Sequence, residues 1–395
     1  MTLMTNEHLK SGRHPIVWVM LGLAILLLPH LAATAGQSWV RIIDLALLYV
    51  MLALGLNIVV GQAGLLDLGY VAFYAVGAYL YALLSSPHLA NNFAWIAGLT
   101  GGGVHVPWFL VVMLAAGLAA LAGITLGAPT LGLRGDYLAI VTLGFGEIIR
   151  LLMQNLDDPV NITNGIMGIN NIAPLSLFGF NLGESHVIGG IEFTPLMSYY
   201  YVFVGFVMLS TLICSRLVDS RLGRAWMAIR EDEIAAKAMG INTRNTKLLA
   251  FGLGASFGGV SGALFSSFQG FISPESFSLM ESVMIVAMVV LGGMGHLPGV
   301  ILGALLLAAL PDALRYVSTD PVALLAKMHA LNQSGSLPDF VMWVADPTLT
   351  WVDGHLDSAI ARQILIALAM ILMMLLRPRG LWPVPEHGKA LPQER

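Results

Sequence analysis

RLVDSRLGRAWMAIREDEIAAKAMGINTRNTK, residues 216–247, is the stretch whose reading decides the fold. It holds Arg216, Arg221, Arg224, Arg230, Lys237, Arg244 and Lys247, in a chain with only 19 Lys and Arg among 395 residues. A long apolar run flanks it on each side. Such an island reads as a loop on the cytoplasmic face of a bilayer, where Lys and Arg accumulate. Its centre, Glu231 to Met239, reads as a short helix flanked by Gly223 and Gly240. The small residues Ala235, Ala236 and Ala238 leave that helix a surface another protein can touch.

Outward from the island, composition agrees. The chain is 57% hydrophobic and 11% charged, with a mean hydropathy of +0.80. Ordinary soluble domains are roughly half apolar and a quarter charged. Runs of about 20 apolar residues are long enough to cross a bilayer core. They fall at 15–35, 40–60, 65–84, 108–132, 137–155, 199–218, 247–268, 279–294, 297–316 and 361–376. The expectation is an all-α, polytopic membrane helical bundle of about ten transmembrane helices, some short or broken. A net charge of −4 gives no reason to expect nucleic acid as a partner, and membrane lipid is the expected surround. The single Cys214 excludes an intrachain disulfide framework.

Residues 15–35 admit two readings. Lys10 and Arg13 precede the run, and Ala33-Thr34-Ala35 has the shape of a signal-peptide cleavage site. A further apolar run begins at Val40, so the segment is taken as a retained first helix. Lys and Arg then test the topology. Lys10, Arg13, Arg134, the island and Arg377, Arg379, Lys389 and Arg395 fall on one side. Loops 85–107, 156–198 and 269–278 hold none, and loop 317–360 holds only Lys327. Both termini are therefore expected inside the cell. The chain reads as one domain, with a membrane core of about 15–376, an inner loop 219–246, outer loops 156–198 and 317–360, and a tail 377–395. Loop 156–198 has no long helical period and is expected to lack a fold of its own. Unstructured loops of that length are usually functional, and here a solvated cap over helix ends is the equal alternative.

Inside the expected spans, four features stand out. GQAGLLDLGY, residues 61–70, places Asp67 among Gly61, Gly64 and Gly69, which make either a tight inner turn or a helix break. Asp67 is read as an interfacial or capping group ahead of a transport role. Ala119, Gly123 and Gly127, then Gly254, Gly258 and Gly262, form small-residue stripes that let helices approach closely. Glu147 and Arg150 share a helix face at a spacing of three. They either line a translocation route or form an internal ion pair that fixes helix register or docks a second permease, the structural reading being preferred here. The short run 279–294 ends in Gly292 and Gly293, a second break. Interrupted helices in membranes occur where backbone lines a cavity or is covered by protein. The two breaks, one in each half, point to the pathway.

Chemical machinery of other kinds is missing from the sequence. No GxxxxGK[ST] loop is present to cradle ATP. The ten His show no metal-ligand spacing, and no nucleophile–base arrangement is visible, so no metal, cofactor or catalytic residue is expected.

Glu233-Ile234-Ala235-Ala236-x-x-x-Gly240 resembles the E-A-A-x-x-x-G coupling loop of ABC-importer permeases, with one residue inserted. GDYLAIVTLGFGEIIR (135–150), GRAWMAIREDEIA (223–235), GFISPESF (270–277), VVLGGMG (289–295) and RPRGLWP (377–383) are similar to one family in order: the LivM-type permeases of bacterial branched-chain amino acid importers. The resemblance covers roughly residues 40–383. It implies an inner-membrane permease for leucine, isoleucine and valine, not itself an enzyme. It also implies a second homologous permease, two cytoplasmic ABC ATPase subunits and a periplasmic solute-binding protein. Coupling to the ATPase falls, by the same resemblance, to Arg230, Glu231, Glu233, Ala235, Ala236 and Gly240. A urea or short-chain amide importer is the nearest alternative. An ion-coupled secondary transporter using Asp67, Glu147 and Glu281 is the alternative of a different class.

Overall fold

The computed structural model describes residues 15–93 and 106–317, apart from 134, 159, 178, 189 and 190, together with 364, 367, 368, 371, 375, 381 and 382. The described chain is helical. Its helices are α1 (Pro15–Ala35), α2 (Gln37–Leu56), α3 (Val71–Ser85), α4 (His88–Asn92), α5 (Trp108–Thr130), α6 (Asp136–Asn155), α7 (Pro195–Val218), α8 (Arg221–Glu231), α9 (Glu233–Ala238), α10 (Thr243–Gln269), α11 (Leu279–Gly292) and α12 (Leu297–Val317). The expected span 361–376, loop 317–360 and tail 377–395 lie outside the described residues apart from the isolated positions above.

Five stretches among the described residues are long and apolar enough to cross a membrane: Gln37–Gln62, Trp108–Thr130, Pro195–Val218, Thr243–Gln269 and Pro274–Gly292. Ala24–Ala35, Val71–Ser85 and Leu297–Pro311 are apolar but shorter. Among the described residues the count of ten is therefore not confirmed. One reason is visible at 65–84, where the helix begins only at Val71 and residues 63–70 are not helical.

The centre of the bundle is α2 and α10. The apolar window of Gln37–Gln62 is 78% buried, against 28% for α5 and 17% for α7. Lipid supplies little drive for helix association, so close approach through small residues has to hold the seam. Gly254, Gly258 and Gly262 on α10 lie against Gly55 and Val59, then Tyr70 and Phe73, then Tyr74 and Ala78. Gly123 and Gly127 on α5 lie against Phe251 and Ala255. Thus α10 carries two stripes. The one facing α5 runs through Gly252, Ala255 and Gly259, and the sequence reading had missed it.

Two corrections concern local structure. Loop 156–198 carries two small antiparallel hairpins, Ser176–Leu177 with Phe180–Asn181 and His186–Ile188 with Ile191–Phe193. It is also pinned to the bundle, since Ile169 bridges Ile272 and the Ala173 N–H donates to Ser85 O at 2.8 Å. The single island helix expected at Glu231–Met239 is instead two helices meeting at Asp232. Ser220 caps the first by accepting from Leu222 N and Gly223 N, which puts Gly223 inside α8. Asp232 caps the second, its Oδ1 accepting from Ile234 N at 2.8 Å and Ala235 N at 3.0 Å. These caps satisfy donors that a helix start leaves open.

Candidate functional site

The six residues of α9 are too few to hold a helix alone. Three tethers fix them. Trp226 of α8 is fully buried and donates to Thr246 O at 2.8 Å. Lys247 Nζ, on a side chain only 7% exposed, pairs with Glu233 Oε2 at 2.7 Å. Gly240 ends the helix at φ +85°, a conformation that suits glycine. The expected coupling residues divide accordingly. Glu231, Ala235 and Gly240 are exposed, Ala236 is buried, and Glu233 turns back to α10. Outward-facing apolar groups complete the exposed side, Ile234 at 71% and Met239 at 83%.

Arg230 is also exposed, but its guanidinium turns back toward the bundle. Its Nη1 donates to Gly61 O, at the end of a π-helical turn, Asn57–Gln62, that continues α2. Here the two breaks meet. Gln62 Nε2 donates to Gly295 O at 2.9 Å, and Gly295 N donates to Asn57 Oδ1 at 2.8 Å. Gly293 and Gly295 have φ of +109° and +89°, and a Cβ at Gly295 would stand 3.1 Å from Arg230 Nη1. The C-terminal motif closes the same corner. Leu381 N donates to Leu291 O at 2.8 Å, and Trp382 N to Gly292 O at 3.4 Å. Backbone freed by each break is thus taken up by protein, as a water-poor interior requires. A cleft of about 200 Å³, open to solvent, lies beside it between Ala63–Leu66, Asp136, Arg230, Glu233 and Lys247.

Asp67 sits in the non-helical stretch that follows. It is 1% exposed, and its Oδ1 accepts from Gly69 N at 2.9 Å. Leu68 is held from two sides, its N–H donating to Thr142 Oγ1 at 3.0 Å and its carbonyl accepting from Ser282 Oγ. The turn-or-break alternative resolves as both. After Gln62 the chain runs without helix until α3 begins at Val71, and the hydroxyl of the preceding Tyr70 donates to Gly254 O midway along α10. The second break is comparable. Residues 270–278 lead without α-helix into the 14 residues of α11, which ends at the Gly292–Gly295 corner.

Glu147 and Arg150 lie near the opposite end of the bundle and do pair. Arg150 Nε donates to both carboxylate oxygens of Glu147, at 3.0 and 3.1 Å. The hydrogen bond and the charge of Arg150 hold the two in one geometry on α6. A third member was not foreseen. Glu275 lies 3.5 Å from Arg150 Nη1 and accepts from Gln154 Nε2 at 2.9 Å. The cluster is wet, its side chains 38%, 20% and 64% exposed for Glu147, Arg150 and Glu275. Two other acids sit in spans. Glu281 accepts from the Tyr49 hydroxyl. Asp44 of α2 is fully buried, with neither carboxylate oxygen partnered among the described residues. A lone acid inside the apolar run 40–60 was the signal that could have found it. Among the described residues no group of three metal-ligating side chains is present.

Comparison with known proteins gives the arrangement a context. The family described as branched-chain amino acid transport system, permease component, matches residues 38–333. The LivM permease protein of Escherichia coli K12, from a high-affinity branched-chain amino acid transport system, is 43% identical over 296 residues, covering 71% of this chain and 64% of that protein. LivH of the same organism is 28% identical over 280 residues, covering 69% and 83%. BraD of Pseudomonas aeruginosa is 29% identical over 265 residues, covering 66% and 79%. The chain therefore spans a little under two thirds of the LivM length. No solved structure matches it significantly.

Proposed function

The chain belongs to the branched-chain amino acid transport permease family, and from that premise we propose that it forms half of the translocation pathway of an ABC importer for leucine, isoleucine or valine. On this reading it sits in a bacterial inner membrane with the island and both termini in the cytoplasm. A second, homologous permease completes the path, two ATPase subunits dock on the island, and a periplasmic binding protein delivers solute to loops 156–198 and 317–360. LivM and LivH, both permease proteins of one organism's system and both similar to this chain, support the pairing.

The observation that carries the reading is α9. A six-residue helix, capped by Asp232 and tethered through Glu233 to buried Lys247, holds Ile234 and Met239 out at the charged end. Exposed apolar groups on a rigid knob mark a protein contact. ATP-driven closure would move the knob as a rigid body, and α8 and α10 would carry the motion inward. The breaks at 61–69 and 292–295, with Asp67, Glu147, Arg150, Gly292 and Gly293, are the proposed path. The Gly123, Gly127, Gly254, Gly258 and Gly262 contacts are the proposed static frame. Ile234→Asp tests the docking, because that side chain is 71% exposed and its loss is expected to leave the fold intact. The ATPase subunits are expected to be lost on co-purification, with uptake abolished. Normal association and uptake would reject docking at α9. Uptake by the chain alone in proteoliposomes, driven by an ion gradient, would favour the secondary transporter instead.

A further inference from the structure

We propose that Arg230 is a positioning residue that links the coupling knob to both helix breaks, so that displacement of α9 opens the corner where Gly61 meets Gly295. This rests on the docking reading above and adds to it the route that motion takes. The geometry of one side chain is the starting point. Arg230 is the tenth of eleven residues in α8, two positions before the Asp232 cap that starts α9. Acids lie beside it in sequence at Glu231, Asp232 and Glu233, yet the ion pairs among the described residues leave Arg230 out. Its head instead reaches a backbone carbonyl 169 positions away.

The reach has a chemical reason. The last carbonyls of a helix lack intrahelical partners, and an Arg placed there satisfies them while meeting the negative end of the helix dipole. Gly61 is such a carbonyl, one residue before the π-helical turn ends. The path of the side chain is also cleared for it. A Cβ on Gly64, at φ +70°, would lie 2.9 Å from Arg230 Cγ, and one on Gly295 would lie 3.1 Å from Arg230 Nη1. The stem passes over one break and the head ends between both.

What Arg230 touches is itself a junction of distant segments. Asn57 and Gln62 bond Gly295 from one side, and Leu381 and Trp382 bond the carbonyls of Leu291 and Gly292 from the other. Meanwhile α8 is pinned to α10 at Trp226, and α9 at Glu233. Motion of α9 is therefore levered about the buried Trp226, and Arg230, on the α9 side of that pivot, moves with it. Withdrawing the guanidinium leaves Gly61 O open and the Gln62 and Asn57 bonds to Gly295 as the remaining stitches. The charged cleft beside Arg230 and Glu233 would then join the space between the breaks.

The test uses the importer assembled in its own membrane and reads three quantities: ATPase subunits co-purified, ATP hydrolysed, and solute taken up. Arg230→Gln alters one exposed residue next to the docking face, but it is expected to keep the subunits bound, since Ile234, Met239 and the rest of α9 are untouched. It should cut solute moved per ATP by roughly tenfold, and Arg230→Lys, which restores a cation, should return much of that loss. Uptake per ATP close to that of the unaltered importer in Arg230→Gln would overturn the proposal. Loss of the ATPase subunits would overturn it equally, by making Arg230 a docking contact. Should Arg230→Gln not accumulate in the membrane, Gln62→Ala decides. That change removes one stitch and leaves α8 and α9 alone, and it is expected to lower uptake per ATP by about threefold. No change there sinks the idea. Failure of the docking reading shows itself separately, in the Ile234→Asp pull-down.

Discussion

The two ends of the bundle hold their backbone in opposite ways. At the island end, Gly61, Gly64, Gly293 and Gly295 bring chain segments together that are more than 200 residues apart, and neutral amides of Asn57 and Gln62 stitch them. At the far end, three charged side chains, Glu147, Arg150 and Glu275, meet in the open. The first arrangement leaves no room for a side chain at Gly61, although Gly64 and Arg230 at its edge face a solvent-open cleft. The second is screened, adjustable and able to exchange partners with solvent. A corner of the first kind suits a part that shifts between discrete packings, and a cluster of the second suits a surface that solute passes.

Gly61→Val attacks that contrast where it is sharpest. A Cβ at this position would collide with Asn57 Oδ1 and stand 2.6 Å from Gly295 N. The second contact is backbone, so relief requires the corner to part. Overpacking of a tight interior usually costs about 1–3 kcal/mol, and more where neighbours cannot yield. The expected result is little or no folded protein in the membrane, measured by immunoblot and by size exclusion in detergent. Normal accumulation would show that the junction is looser than its geometry implies.

How far the sequence revealed this corner depends on which residue is considered. Gly61, Gly64 and Gly69, and Gly292, Gly293 and Gly295, announce breaks because glycine clusters interrupt an apolar run visibly. That the breaks face one another is not announced. Asn57, Gln62 and Arg230 do that work through single hydrogen bonds, which leave no period and no local motif. The island was legible as an exposed charged segment. Its division at Asp232 was not, since the capping acid lies among other acids in REDE. The buried partner Lys247 reads only as one of the island's cations, and only the fold places its ammonium on Glu233. Glu147 and Arg150 were legible as a pair because helical spacing brings them together. Glu275 was not, being 125 positions from Arg150.

Thr142→Val gives an intermediate effect on the stretch between the two ends. Thr142 Oγ1 accepts from Leu68 N, which has left helix and lies within the bundle. Valine keeps the shape and removes the acceptor, leaving a part-buried donor unsatisfied at a cost of about 1 kcal/mol. Thermal unfolding in detergent should shift downward by several degrees, with the protein still inserted. An unchanged midpoint would mean that Leu68 finds another partner and that the non-helical stretch is not fixed by α6.

Glu275→Gln should do least to stability, and that is what makes it informative. Its carboxylate is 64% exposed and only 3.5 Å from Arg150 Nη1, so its share of the cluster is a screened surface pair worth about 0–1 kcal/mol. Glutamine retains an acceptor for Gln154 and removes one negative charge. The unfolding midpoint is therefore expected to stay put at high and low salt alike. If the cluster borders the route of a zwitterionic solute, uptake should change and the change should shrink as added salt screens the exposed groups. If Glu147, Arg150 and Glu275 serve only to set helix register, uptake should follow stability and remain constant. The far end would then be a strut like the glycine seam, and the contrast between the two ends would reduce to one between two ways of packing.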